Sequence, residues 1–519
     1  MELESVLNEE VIEANLKQFL LVLSVSLGVA TLPKVFGWFR NIPYTLLLVI
    51  AGLGLAVLDV RLVNLSPSLI LSIFLPPLLF EAAWNLKWQE LKEHLAPICL
   101  YAVFGVVISI AGVTLGLNQF TSVSLATALL IGASLSATDP VSVIALFREL
   151  GVEKRLSVIM EGESLFNDGM AVVAFGFLVA LNAGTVEPTV QALLFNLAQV
   201  VGVGIGVGGL FGFGISYLTQ RFDLPLVEQS LTLVAAYAAY LITEDFGGSG
   251  VIGVVTTGLV LGNFGSRIGM NPRTRIIVTE FWEFLAFFVN SIVFLLIGDQ
   301  VQFDSLLDNL GLIGVTIGSM VLARALGILV LSGLSNRVTE VNVPFPEQIV
   351  LWWGGLRGSV GIALALSVST ALPERQLVIS TIFGVVLFTL LVQGLTIGPL
   401  LKKLKLLGDQ PSRQRYTEVL ARLTALKQVL EHLDSVDQRP GLDPEFCRYQ
   451  TTLIKGEIEN LETEIDQLQD EYPNLRDYVA EQLREELLTV EATAYAELVR
   501  SGQLSRELSP FLQLESEGS

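Results

Sequence analysis

Apolar runs long enough to cross a bilayer recur through the first four hundred residues, and they exclude most folds at once. About 20 apolar residues of helix span the hydrocarbon core. Backbone inside lipid must satisfy its own hydrogen bonds, which leaves helices or closed barrels. The runs lie near 16–33, 42–58, 66–84, 95–117, 124–146, 157–181, 192–218, 227–243, 248–265, 277–298, 309–334, 347–370 and 377–401. They predict an all-α polytopic membrane protein of about thirteen transmembrane helices. The runs at 227–243 and 248–265 are the least clearly separated. Only 16% of residues are charged, against about 25% in soluble chains. The net charge of −20 predicts no nucleic-acid partner, since such partners call for a basic patch.

Charge placement predicts the orientation. Short cytoplasmic loops collect Lys and Arg. With the N-terminus outside, the inner loops hold Lys34, Arg40, Lys87, Lys92, Arg148, Lys154, Arg155, Arg221, Arg267, Arg273, Arg275, Arg337, Lys402, Lys403 and Lys405. The outer segments hold only Lys17, Arg61 and Arg375, with acids such as Glu187, Glu244, Asp245, Asp299, Asp304 and Asp308. A missed or extra helix would scramble this alternation, so an odd count with a cytoplasmic C-terminus is expected. The acidic start MELESVLNEEVIEAN lacks the basic region of a secretory signal, so the first run reads as a retained helix.

The composition turns charged and helix-forming after Leu401. Residues 1–404 read as the transmembrane domain, and 405–519 as a helical cytoplasmic tail with a regulatory role open to it. Ile454, Ile458, Leu461, Ile465 and Leu468 alternate steps of four and three. That spacing fits a short coiled coil or an amphipathic helix packed within the tail. The terminal ESEGS reads as disordered. Cys99 and Cys447 lie in an apolar run and the polar tail, so no disulfide framework is expected. His94 and His432 sit in polar sequence, and neither a structural metal nor a cofactor is expected.

A charge at membrane depth is costly and marks a functional candidate. Glu81 lies in PPLLFEAAW, where Pro76 and Pro77 should break the helix ladder about one turn earlier. It lines an ion path or sits at the interface. In SLSATDPVSV, Asp139 precedes Pro140, which disfavours helix there. Ser134, Ser136 and Thr138 add polar groups nearby. The stretch reads as a discontinuous helix whose exposed ends and unwound carbonyls can face an ion, or as a plain proline kink. In MEGESLFNDGMAVV, Ser164, Asn167 and Asp168 stand at i, i+3 and i+4 on one face, with Glu163 one position from Ser164. Oxygen donors suit hard cations, and a carboxylate out of water carries either a proton or a cation. This is the strongest site in the chain, a candidate for Na+ at Asp168. In WWGGLRGSVGIALAL, glycines loosen the helix around Arg357, and Glu163 is its expected carboxylate partner. Arg324 in the eleventh span is expected to pair with Glu280 or Glu283 as scaffold. Gly204, Gly208 and Gly212 in the seventh span suggest close helix packing.

In combination and in order, PPLLFEAA, ATDPVSV, GESLFND, FWEFLAFF and GGLRGSVGIALAL resemble the NhaP branch of the monovalent cation:proton antiporters, which also contains the animal sodium/proton exchangers. The motifs span about 300 residues and leave the tail uncovered, and the chain is similar in character to cyanobacterial members. The resemblance implies thirteen helices with two inverted six-helix repeats, crossed broken helices in spans 5 and 12, and a homodimer. It implies a cell-membrane location and a role in pH homeostasis and salt tolerance. It also implies that Asp168 binds cation and proton alternately. Ser164, Glu81 and the backbone near Thr138 would complete the site, with Asn167 supporting it and Glu163–Arg357 as a structural ion bridge. Members with Asn before this Asp look electroneutral.

The expected function is therefore exchange of Na+ or Li+ for H+ by alternating access. Potassium/proton or calcium/proton exchange stays open. A cation channel would need a continuous pore. An enzyme would need a nucleophile–base pair, which is not evident here.

Overall fold

The computed structural model describes residues 2–36, 39, 42–58, 62, 66–184, 189–221, 224–266, 269–339, 342–407, 410–436 and 444–471, with scattered positions between 483 and 498. Arg40, Arg61, Glu187 and Arg267 of the charge pattern, and the terminal ESEGS, lie outside the described residues. The described residues contain no strand. The chain divides into two compact units, Met1–Leu406 and Leu407–Ser519.

In the first unit the helices run α1 (Glu2–Val35), α2 (Tyr44–Val57), α3 (Leu69–Asn85), α4 (Trp88–Glu93), α5 (Leu95–Phe120), α6 (Leu125–Ser134) and α7 (Val141–Leu150). They continue with α8 (Lys154–Asn182), α9 (Val190–Thr219), α10 (Pro225–Asp245), α11 (Gly250–Gly265), α12 (Pro272–Asp299) and α13 (Phe303–Asp308). The last four are α14 (Leu310–Val338), α15 (Phe345–Trp353), α16 (Ser359–Ser367) and α17 (Arg375–Lys403). Seven helices among the described residues are long and apolar enough to cross a membrane. The fifth and twelfth apolar runs fall instead on pairs of half-length helices, α6 with α7 and α15 with α16.

Local chemistry sets these ends. Ser124 caps α6 by accepting from Thr127 N, and Ser249 caps α11 by accepting from Ile252 N, as short hydroxyl side chains do at helix N-termini. Pro225, Pro272 and Pro346 sit in the first turns of α10, α12 and α15, where the missing N–H costs nothing. Gly151 ends α7 in the left-handed region at φ 65°, a conformation open to glycine without steric cost.

One expectation fails at α3. Pro76 and Pro77 do not break it. The turn before them, Leu69–Phe74, widens to i→i+5 bonding, and the helix continues to Asn85. Pro77 cannot donate to the carbonyl four residues back, and that carbonyl, Ile73 O, accepts from the Tyr237 hydroxyl instead at 2.9 Å. Similar wide turns occur at Leu100–Phe104, Leu261–Gly265 and Thr389–Gln393. Gly204, Gly208 and Gly212 of α9 face Ile252, Gly253 and Val260 of α11, so that stripe packs helix on helix.

In the second unit, α18 (Gln410–Val436) packs on α19 (Pro444–Glu471) through Val419, Leu423 and Leu461, flanked by Leu426, Ile458 and Ile465. Arg415–Glu464 at 2.7 Å and Lys427–Glu462 at 2.8 Å flank this seam. The apolar spacing of α19 thus serves packing within the tail.

Candidate functional site

The two interrupted helices meet at their gaps. Residues 135–140 separate α6 from α7, and 354–358 separate α15 from α16. Asp139 N donates to Leu356 O at 2.9 Å, joining the unwound strands directly. Gly358 makes this approach possible: a Cβ there would run into the Asp139 carboxylate and its Cβ. Gly361 lies against Ser134 O, which an added Cβ would meet at 2.7 Å.

Each break exposes helix ends whose dipoles need compensation. Arg357 Nη1 donates to Ser136 O at 2.9 Å and Ala137 O at 3.0 Å, just past the C-terminus of α6. Arg324 donates to Leu351 O at 2.9 Å from Nη2 and to Trp352 O at 3.2 Å from Nε, at the C-terminus of α15. Two guanidinium groups therefore sit at two negative helix ends. The carboxylate of Asp139 does the converse: Oδ1 accepts from Val141 N at 3.1 Å at the start of α7, while the other oxygen lies against Gly358 at the start of α16.

The ion pairing differs from the expectation. Glu163 pairs with Arg324 rather than Arg357, through two contacts of 2.9 and 3.3 Å. Arg357 is fully buried and turns its Nη1 to two carbonyls, with Glu163 as a charged neighbour without a direct bond. Glu280 and Glu283 are exposed on α12, and neither pairs with Arg324. The reason is rotational: the Glu163 side chain leaves α8 on the side where α14 approaches, and Arg324 arrives there from α14. Arg357 Nε and the Ser109 hydroxyl, both without a hydrogen-bond partner among the described residues, help line a small cavity there with Glu163, Asn167 and Arg324.

Above this network α8 presents its polar face to the gap at 135–140. Asn167 grips Thr138 from both ends, donating Nδ2 to Thr138 Oγ1 at 2.6 Å and accepting from Thr138 N at 3.3 Å. The Ser164 hydroxyl donates to Thr138 O. Asp168, one helix step further, is buried, and its Oδ1 has no hydrogen-bond partner among the described residues. Its charged neighbours are Asp139 and Arg357. A buried carboxylate oxygen without a donor is costly in the ionised state. A bound proton or a bound cation each removes that cost.

Ser164, Asn167, Thr138, Asp139 and Asp168 are therefore brought together. Glu81 is not. It is half-buried on α3, accepts from Asn85 Nδ2 at 2.6 Å, and has Arg148, Glu161 and Glu283 as charged neighbours. Thr389 also belongs to the crossing, since its hydroxyl accepts from Arg357 N at 3.1 Å. A single Thr in an apolar helix carries no signal that would mark it. Arg324 at the end of α15 was visible as a buried charge but not as a cap.

Residues 22–403 match the family Sodium/hydrogen exchanger, transmembrane. The Na(+)/H(+) antiporter ApNhaP of Aphanothece halophytica is 60% identical over 514 residues, covering 99% of each chain. The low-affinity Na(+)/H(+) antiporter NhaS1 of Synechocystis sp. is 54% identical over 515 residues, covering 98% of each. Among solved structures, the sodium proton antiporter MjNhaP1 of Methanocaldococcus jannaschii, determined at pH 8, superposes with a TM-score of 0.64 at 21% identity, covering 77% of this chain and all of that one. That likeness establishes a common fold. With the family match over most of its helical unit and relatives of this identity along its full length, the chain belongs to the sodium/hydrogen exchanger family, multi-pass membrane transporters rather than enzymes.

Proposed function

We propose that this protein exchanges Na+ for H+ across a membrane, with Asp168 as the group that carries one or the other. The observation that supports this most is the unpartnered Asp168 Oδ1, buried beside a gap whose backbone is held open by Ser164 and Asn167. Half-helix ends and unwound carbonyls at such a gap are suited to a hard, desolvated cation. One carboxylate takes one ligand at a time, so inward movement of one requires outward movement of the other.

The cycle follows from charge. Asp168 is neutralised by a proton or by Na+ in both loaded states, so the loaded site crosses with the same net charge each way and exchange is electroneutral. Asp139 serves the site by fixing the crossing of the two gaps. Movement is alternating access, a rocking of the helices that bear the gaps. Thirteen spans with inverted repeats, an outside N-terminus, a cytoplasmic tail, a homodimer and a plasma-membrane location fit this reading. Li+, close to Na+ in charge and hardness, is an expected substitute.

The test uses the protein in sealed vesicles with an inside-acid gradient and a pH-sensitive dye. Na+, Li+, K+ or Ca2+ is added outside, with Asp168→Asn in parallel. Na+ and Li+ should collapse the gradient in the native protein and leave it standing in the variant. Collapse by K+ or Ca2+ alone changes the cargo. An active Asp168→Asn variant overturns the site.

A further inference from the structure

We infer that Arg148 is a tethered cation at the mouth of the path to Asp168, and that it holds down the protein's apparent affinity for the transported ion. The inference rests on the exchange reading above.

The sequence of α8 supplies the path. Glu161, Ser164 and Asp168 stand at i, i+3 and i+7, which places them on one helix face. At 1.5 Å per residue, Glu161 lies about 10 Å from Asp168 along the axis, toward the Lys154 end. Asp168 is buried, whereas the Glu161 side chain is 21% exposed. An ion that reaches Asp168 along this face passes Glu161 first.

Glu161 already has a cation. Arg148 Nη2 donates to Glu161 Oε1 at 3.4 Å, from a side chain that is 69% exposed. Arg148 lies in the last turn of α7, the same half-helix whose start Asp139 caps, so the guanidinium is fixed to the element that builds the gap. Three carboxylates share this region, Glu81 of α3, Glu161 of α8 and Glu283 of α12. Glu90, which Lys154 pairs at 2.6 Å, lies at its edge. The carboxylates concentrate cations from solution, and Arg148 offsets part of that attraction. A long, exposed contact of this kind adds little to stability, so its electrostatic effect on the mouth is the larger one.

The size of the effect follows from Coulomb's law. Removing one positive charge about 10 Å from an ion held at Asp168, at an effective dielectric of roughly 40 to 80, changes cation occupancy there about two- to fourfold. Salt screens such an effect strongly at a Debye length of a few ångströms.

The experiment measures Na+ half-saturation at fixed alkaline pH in the vesicle assay, for the full-length native protein, Arg148→Gln, Arg148→Lys and Glu161→Gln. At about 20 mM ionic strength, Arg148→Gln should lower half-saturation about two- to fourfold with the maximal rate unchanged. Arg148→Lys should behave as native, and Glu161→Gln should raise half-saturation. The differences should shrink when choline chloride brings the ionic strength to about 0.5 M. An unmoved half-saturation in Arg148→Gln, a shift that survives high salt, or a change in maximal rate alone overturns the inference. Should Arg148→Gln fail to assemble, Glu161→Gln decides: no rise in half-saturation overturns it. A native protein that no Na+ concentration activates instead marks failure of the exchange reading itself.

Discussion

Glu163→Gln should destabilise the membrane unit by about 3 kcal/mol, chiefly by stranding Arg324. The Glu163 side chain is 4% exposed and that of Arg324 12%, so water cannot replace the lost partner. Removing one member of a buried pair typically costs about 3–5 kcal/mol. Here Arg324 keeps its bonds to Leu351 O and Trp352 O, which places the cost at the lower end. A double-mutant cycle separates this pairing from the one expected from sequence. In equilibrium unfolding in mixed micelles, Glu163→Gln with Arg324→Gln should show coupling of about 2 kcal/mol, because removing both charges leaves neither stranded. Glu163→Gln with Arg357→Gln should couple by less than about 1 kcal/mol, since Arg357 bonds carbonyls of 136 and 137. Equal coupling in both cycles, or a Glu163→Gln variant within about 0.5 kcal/mol of native, would refute the reasoning.

Two further outcomes are expected. Gly358→Ala forces a methyl against the Asp139 carboxylate; overpacking of this kind costs about 1–3 kcal/mol, and the vesicle assay should show at least a tenfold (~1.4 kcal/mol) loss of exchange, a near-native rate being contrary. His94 lies in the turn between α4 and α5, where burial, and then Arg155, hold its imidazole below the ordinary value. Its neutral form is therefore favoured by folding, so this contribution is complete above the ordinary His range and is lost as pH falls through that range toward the lower folded value. His94→Gln should narrow the drop in thermal midpoint between neutral and acidic buffer, and an unchanged drop would be contrary.

The sequence carried the site further than it carried the pairings. Asp139–Pro140 and the glycines around Arg357 announce breaks through backbone chemistry alone, and Ser164, Asn167 and Asp168 share a face by helical arithmetic. Those signals are local. Which arginine meets Glu163 depends on which helices are neighbours and how each is turned about its axis, and no spacing within α8 or α14 encodes that. Glu280 and Glu283 looked suitable for Arg324 by charge, yet they are exposed on α12. Glu81 shares the motif order of the site residues but stands among Arg148, Glu161 and Glu283. The wide turns left no trace in composition, because an i→i+5 turn uses the same apolar residues as its α neighbours. The apolar ladder of α19 fitted two partners, and α18, the other helix of its own unit, takes it.

The wide turn in α17 has a meaning for how such chains change length. Thr389–Gln393 holds one residue more than an α turn would, and Thr389 at its start receives the Arg357 amide. Deleting one residue from it would restore an ordinary helix and leave the following segment, with its buried Ile397 and Leu401, in nearly its present orientation, whereas the same deletion elsewhere in the span would turn that segment by about 100°. The residue count of this span can thus change by one at this turn while its buried faces stay in place. Gaps in an alignment of related chains belong at turns of this kind inside the bilayer as well as in the loops outside it.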